Sequence, residues 1–183
     1  ETNPYYNAML PSENNGKILS VTNNTNLDWY ILDHLRWTAS MSLSTTHTDN
    51  MSFTDPANTK YASSDYTQQG EYSSSKARSW RYTLNTGLAY SLSIHDHNLT
   101  FNGRAEVRSQ SSTSESFVAT GFPKGVGAIP SFAYSYKENS KPSYNETVSR
   151  GVSFLGTFNY NYKYRYLFDA SISSDGSTAF GRD

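Results

Sequence analysis

Residues 35–44 read LRWTASMSLS, and the alternation in that stretch constrains the fold of this chain more than any other feature. Leu35, Trp37, Ala39, Met41 and Leu43 fall on one side of an extended backbone, with Arg36, Thr38, Ser40, Ser42 and Ser44 on the other. Successive side chains of a strand point to opposite faces, so this pattern makes a strand with one apolar and one polar face. A soluble sandwich turns the apolar face towards its own core, whereas a membrane barrel turns it out to lipid.

The pattern recurs. In WRYTLNTGLAYSLSI, Trp80, Tyr82, Leu84, Leu88, Tyr90, Leu92 and Ile94 share a face opposite Arg81, Thr83, Asn85, Ser91 and Ser93. NLTFNGRAEVRS sets Leu99, Phe101, Ala105 and Val107 against Thr100, Asn102, Arg104, Glu106 and Arg108. GVSFLGTFNYNY alternates Val152, Phe154, Phe158, Tyr160 and Tyr162 with Ser153, Thr157, Asn159 and Asn161, with Leu155 the one misfit. RYLFDASIS sets Tyr166, Phe168, Ala170 and Ile172 against Arg165, Asp169, Ser171 and Ser173, with Leu167 out of pattern. The segment around Leu19–Ile31 alternates weakly, through Leu27, Trp29 and Ile31. The reading is therefore about six strands and no segment of helical period.

Their spacing carries information of its own. Pairs of strands meet at Asp33-His34, at His95-Asp96-His97 and at Lys163-Tyr164. Between these hairpins lie Thr46 to Ser79 and Gln110 to Arg150, roughly 34 and 40 residues, rich in Ser, Thr, Asn, Gly and Pro. Short connections alternating with long ones are the habit of outer-membrane barrels, with short periplasmic turns and long extracellular loops.

Composition agrees with strands. Only 36% of residues are hydrophobic, yet 15% are aromatic, with 15 Tyr, and disordered chains are poor in aromatics. Fifteen Lys and Arg against sixteen Asp and Glu leave a net charge of −1, which offers no footprint for nucleic acid. No cysteine is present, so disulfides and thiolate metal sites are excluded. No apolar run is long enough for a transmembrane helix, and no signal peptide opens this stretch.

Two features favour lipid over a sandwich core. The stretch from Trp80 to Ile94 is far longer than the usual soluble strand of about 5–6 residues, while a tilted membrane strand needs about 9–11. Trp29, Trp37, Trp80, Tyr82, Tyr160, Tyr162, Tyr164 and Tyr166 stand near strand ends, where aromatic girdles meet the membrane boundaries. Charges recur on the polar faces at Arg36, Arg81, Arg104, Glu106, Arg108 and Asp169, the side that would line a lumen. The expected class is all-β, an antiparallel transmembrane β-barrel segment.

The C-terminal stretch YRYLFDASISSDGSTAFGRD resembles a barrel segment of the SusC/RagA family of TonB-dependent outer-membrane transporters, of the form RYLL-x-A-S-x-R-x-DGSS-x-FG. Arg165-Tyr166-Leu167, Ala170-Ser171, Asp175-Gly176-Ser177 and Phe180-Gly181 match, while Ser173 stands where the family often has arginine. NPYYNAML near the start is similar to family sequence in a looser way. The resemblance implies a plugged barrel of roughly 22 strands, of which 1–183 would be a part without plug, signal peptide or TonB box. About six strands cannot close a membrane barrel, whose minimum is about 8, so the remainder of the barrel is an expected partner. The resemblance further implies uptake of oligosaccharides or peptides, energised by TonB through the plug, with a SusD-like surface lipoprotein as lid. Location would be the Gram-negative outer membrane, in contact with its lipid. The rival readings are a secreted all-β carbohydrate-binding module and an outer-membrane enzyme or adhesin on a smaller barrel.

Little points to catalysis or to a cofactor. There is no G-x-S-x-G, H-E-x-x-H or Gly-rich phosphate loop. His95-Asp96-His97 has ligand chemistry but no further ligand set, and reads as a polar turn. Asp175-Gly176 reads as a turn with glycine at positive φ, and Asp55 and Asp65 read as loop residues. In GFPKGVGAIPSFAYSYKENSKPSY, Phe122, Phe132, Tyr134, Tyr136 and Tyr144 stand among Gly, Pro and Ser. Aromatic faces stack on sugar rings and peptide side chains, so these five are the candidates for contact with cargo or lid.

Overall fold

The computed structural model describes residues 3–178. It holds a short helix α1 (Pro4–Ala8) and strands β1 (Glu13–Leu32), β2 (Leu35–Thr54), β3 (Glu71–Ile94), β4 (His97–Thr120), β5 (Ser135–Tyr136), β6 (Ser143–Tyr162) and β7 (Tyr166–Ser177). Single 3-10 turns occupy Thr59–Tyr61, Tyr66–Gln68 and Pro130–Phe132. All strands belong to one sheet in the order β1-β2-β3-β4-β6-β7, with β5 pairing to β4. β6 and β7 run antiparallel from Gly151↔Ser177 to Tyr162↔Tyr166. An antiparallel sheet was the expected class, and this is its up-and-down form.

The strands are longer than the alternation predicts. β1, β2 and β6 each have 20 residues, β3 and β4 each have 24, and most of both expected loops is strand. What remains of them outside strands is 55–70, 121–134 and 137–142. Runs such as TTHTDN and SSSKARS are polar on both faces, so they favour strand by Ser and Thr content without showing a period-two signal. Asp175-Gly176 is likewise not a turn. Asp175 pairs with Ser153 and Gly176 with Val152 inside β7, because the ladder with β6 carries on past the apolar part of the strand. Phe180-Gly181 lies outside the described residues.

Tight turns join the hairpins where expected. The Arg165 amide donates to the Tyr162 carbonyl (3.0 Å), and the two residues between, Lys163 and Tyr164, have φ of 52° and 54°. Two positive φ angles are the requirement of a type I′ turn, whose twist matches the strands it joins. A tyrosine is costly there, and the Asn161 side chain helps to hold it by accepting from the Tyr164 amide at 2.8 Å. His95 also adopts positive φ, at 52°.

The described chain divides into two compact units. One comprises 3–20, 46–79 and 112–147 and is here called the loop unit; the other, 21–45, 80–111 and 148–178, is the strand unit. The loop unit has a core. Phe53, Ala119 and Phe122 are buried in it, with Met51, Tyr72, Phe117, Val126, Ala128 and Ala133 packed around them. Helix α1 was not expected, although Asn3 capping it and Pro4 at its first position are ordinary start signals. Asn7 ties it down, donating to Thr59 Oγ1 (2.8 Å) and accepting from the Thr59 amide (2.9 Å).

The strand unit is built differently. Among its described residues no hydrophobic side chain is buried. Leu84 is 42% exposed, Phe154 57% and Ile172 77%. Its described strands all belong to the one sheet.

Candidate functional site

The polar faces of the strand unit carry linked charges. Arg36 donates to Asp28 Oδ1 from Nη2 (2.6 Å) and Nε (3.0 Å). Arg104 and Arg108 flank Glu106, each at 3.5 Å, and Arg104 also donates to Asn85 Oδ1 at 3.0 Å. Arg81 donates twice to Gln110 Oε1, and Asn159 donates to Asp169 at 2.6 Å. The arginine side chains in these ladders stay about half exposed, so the links order the face while leaving cationic groups open to water. Surface pairs of this kind contribute at most about 1 kcal/mol each.

Towards the turns, aromatic rings gather. Trp29 and Trp37 meet edge to face at 6.3 Å, and the Trp37 indole donates to Thr86 Oγ1 at 2.8 Å. His97 stacks on Tyr160, its Nδ1 2.7 Å from the Tyr160 hydroxyl, and lies 4.7 Å from Tyr162. Tyr162 stacks on Tyr166 at 6.3 Å. Rings with a wet tip and an apolar body suit a water–lipid boundary. In the His95-Asp96-His97 segment, His97 is thus part of an aromatic stack, while Asp96 lies 3.5 Å from Lys163.

Of the five aromatic candidates, the structure keeps four at the surface. Phe122 is 4% exposed and packs edge to face on Phe53 at 5.2 Å, so it holds the loop unit together and is not available as a contact. Gly121 beside it needs its freedom: φ is +78°, and a Cβ there would sit 2.7 Å from the Thr67 carbonyl oxygen. Tyr134 is 67% exposed and meets Tyr66 edge to face at 6.2 Å. Phe132 ends its 3-10 turn exposed, and Tyr136 lies edge to face on Phe117 at 6.1 Å. Tyr144 is also exposed, donating to Glu146 at 3.2 Å; the carboxylate holds its hydroxyl above the ordinary tyrosine range. Among the described residues no ring contact joins Phe132 or Tyr144 to the Tyr66–Tyr134 pair.

Tyr66 is the residue sequence reasoning missed, because it lies in the other connection. Asp65, read there as a plain loop residue, positions it. Asp65 caps the turn Tyr66–Gln68, accepting from the Thr67 amide (2.9 Å) and hydroxyl (2.7 Å). The backbone bond first, and the hydroxyl bond second, lower its pKa. A lowered folded value means that the cap is at full strength above about pH 4, the unfolded aspartate range, and fails as pH falls through the folded value. Amide-exchange protection of residues 66–69, corrected for intrinsic rate, should therefore drop below pH 4 and become insensitive to pH in Asp65→Asn. Unchanged protection down to pH 2 would remove this role.

No family model matches the chain, and no curated protein matches it. Solved structures do. A structure of the RagAB peptide transporter superposes with a TM-score of 0.80 at 22% identity, covering 98% of this chain and 19% of that chain. The RagAB peptide importer matches in its closed-closed state (TM-score 0.79, 21% identity) and in its open-open state (0.77, 20%), each over 96% of this chain and 19% of that one. The chain therefore has the fold of a barrel segment and spans about a fifth of the solved chains it matches.

Proposed function

We propose that this chain is wall and surface loop of the β-barrel of a SusC/RagA-type TonB-dependent outer-membrane transporter. The observation that carries the reading is the apolar face of the strand unit, where among the described residues no hydrophobic side chain is buried. A private sandwich core, which a secreted binding module requires, is missing among the described residues. Lipid supplies the cover instead, and the ladder of Arg104, Glu106 and Arg108 faces the lumen. β1 and β7 end the sheet, and open edges in lipid leave backbone groups unpaired at several kcal/mol each, so further strands of the same barrel take both.

In this reading residues 1–183 are one part of a single barrel domain, whose plug engages TonB and whose mouth is closed by a SusD-like lipoprotein. Similar superposition on the closed-closed and open-open importer supports a wall that stays fixed while other parts move. The cargo class is peptide or oligosaccharide, and Tyr66 with Tyr134 forms the ring pair that meets cargo or lid. Phe132, Tyr136 and Tyr144 are further contacts of the same kind. Replacing both Tyr66 and Tyr134 by Ala in the full-length transporter should weaken cargo or lid affinity at least tenfold, since a buried aromatic contact is worth about 1–3 kcal/mol. Unchanged affinity for both, in a variant that still reaches the membrane, would sink this assignment.

A further inference from the structure

The loop unit contains a second polar feature, a cleft lined by His47 and Asp49 of β2, Lys76 and Arg78 of β3, and Thr113 and Glu115 of β4. Along β3 the apolar stripe passes through Leu84 and Tyr82 to Trp80, and the next two residues of the same parity are Arg78 and Lys76. His47 and Asp49 continue the parity of Leu35 to Leu43, and Thr113 and Glu115 that of Leu99 to Val107. By that parity the cleft belongs to the apolar side of all three strands and not to the side of Arg36, Arg81 and Arg104.

About ten residues separate Tyr90 from Trp80, the length of one tilted membrane crossing. At a rise of about 3.3 Å per residue and a tilt of roughly 40°, Arg78 and Lys76 follow Trp80 by on the order of 5–10 Å along the membrane normal. That is the level of lipid headgroups. Both cations are exposed, and among the described residues neither is in an ion pair, although Asp49 and Glu115 line the same cleft. Elsewhere in the loop unit Lys137 pairs closely with Glu71, at 2.7 Å.

We propose that this cleft binds the headgroup of a phosphorylated glycolipid in the outer leaflet. The inference rests on the membrane reading above. Arg78 and Lys76 take phosphate, the guanidinium in a two-point fork. Two carboxylates beside them disfavour a bare anion but accept hydrogen bonds from sugar hydroxyls, which a phosphorylated sugar offers and a simple phospholipid offers sparsely.

The test uses the full-length protein, delipidated in detergent and titrated with diphosphorylated lipid A, its dephosphorylated form, phosphatidylglycerol and inorganic phosphate. Diphosphorylated lipid A should bind best, and Lys76→Ala with Arg78→Ala should weaken it roughly 25-fold, about fivefold per cation. Lys76→Arg with Arg78→Lys should retain most binding, which separates charge from misfolding. Asp49→Asn with Glu115→Gln should weaken the glycolipid but not phosphatidylglycerol. Equal glycolipid binding by the Lys76→Ala, Arg78→Ala variant would overturn the proposal, as would equal binding of phosphatidylglycerol or of free phosphate to the native protein. Carbonate extraction of membranes separates the two possible failures. A protein that resists extraction yet shows no glycolipid loss defeats this inference alone, whereas an extractable protein defeats the membrane reading with it.

Discussion

Leu84→Arg should cost about 2–4 kcal/mol of folding stability in a bilayer, the penalty of a cation on the lipid face near mid-membrane. Leu84 lies between Trp80 and Tyr90 on β3, and Ala39, Met41, Ala105 and Val107 line the same shallow apolar groove. Asn85→Arg, one residue along, places the same charge on the polar face, where Arg104 already donates to Asn85. There the cost should stay within about 1 kcal/mol, the range of ordinary surface changes. The contrast between neighbours is the informative quantity, because both sites share strand, propensity and turn. Urea unfolding of the full-length protein in lipid vesicles measures it. Similar small costs at both sites would mean that water, not lipid, meets Leu84.

Phe53→Ala should act elsewhere, and through packing. Phe53 is 2% exposed and touches Phe122 at the centre of the loop unit's core. Truncating a buried phenylalanine costs about 3–5 kcal/mol, as transfer energy and cavity add. Little else in that unit compensates, since Phe53, Tyr61, Ala119 and Phe122 are its buried hydrophobic residues. Residues 55–70 and 121–134 should lose exchange protection and become open to protease, with the Tyr66–Tyr134 pair lost. Protection in 80–94 and 99–108 should change little, because neither stretch contributes a residue to this core. A loss below about 1 kcal/mol would show that the two connections are held by hydrogen bonds, such as the Phe122 amide on the Gln69 carbonyl at 2.9 Å, and not by Phe53.

Where one strand face is apolar and the other polar, the alternation was legible: Trp37 to Leu43, Trp80 to Ile94 and Val152 to Tyr162 are strands as read. It failed where both faces are wet. Lys76, Arg78, His47 and Asp49 look like loop residues because polar side chains occupy both parities of the strand around them. Asp175-Gly176 misled for a related reason, since a turn dipeptide in isolation is an extended pair once β6 lies beside it. The burial of Phe122 was not readable, because it depends on Phe53 and Tyr72, distant in sequence. Tyr66 was hidden by the same separation from Tyr134. The cap that positions it is local, however, and an aspartate two residues before Thr67 is the sequence signal of such a turn.

The chain has no cysteine, so no native thiol in this segment competes with an introduced label. Single cysteines placed in turn at residues 80–94 of the full-length protein, spin-labelled in native outer membrane, report oxygen access from lipid and nickel-chelate access from water. The account predicts a period of two, with Leu84, Leu88 and Leu92 open to oxygen and Asn85, Ser91 and Ser93 open to the chelate. If the even positions are closed to oxygen and chelate alike, those side chains have a protein core over them. The membrane wall would then be wrong.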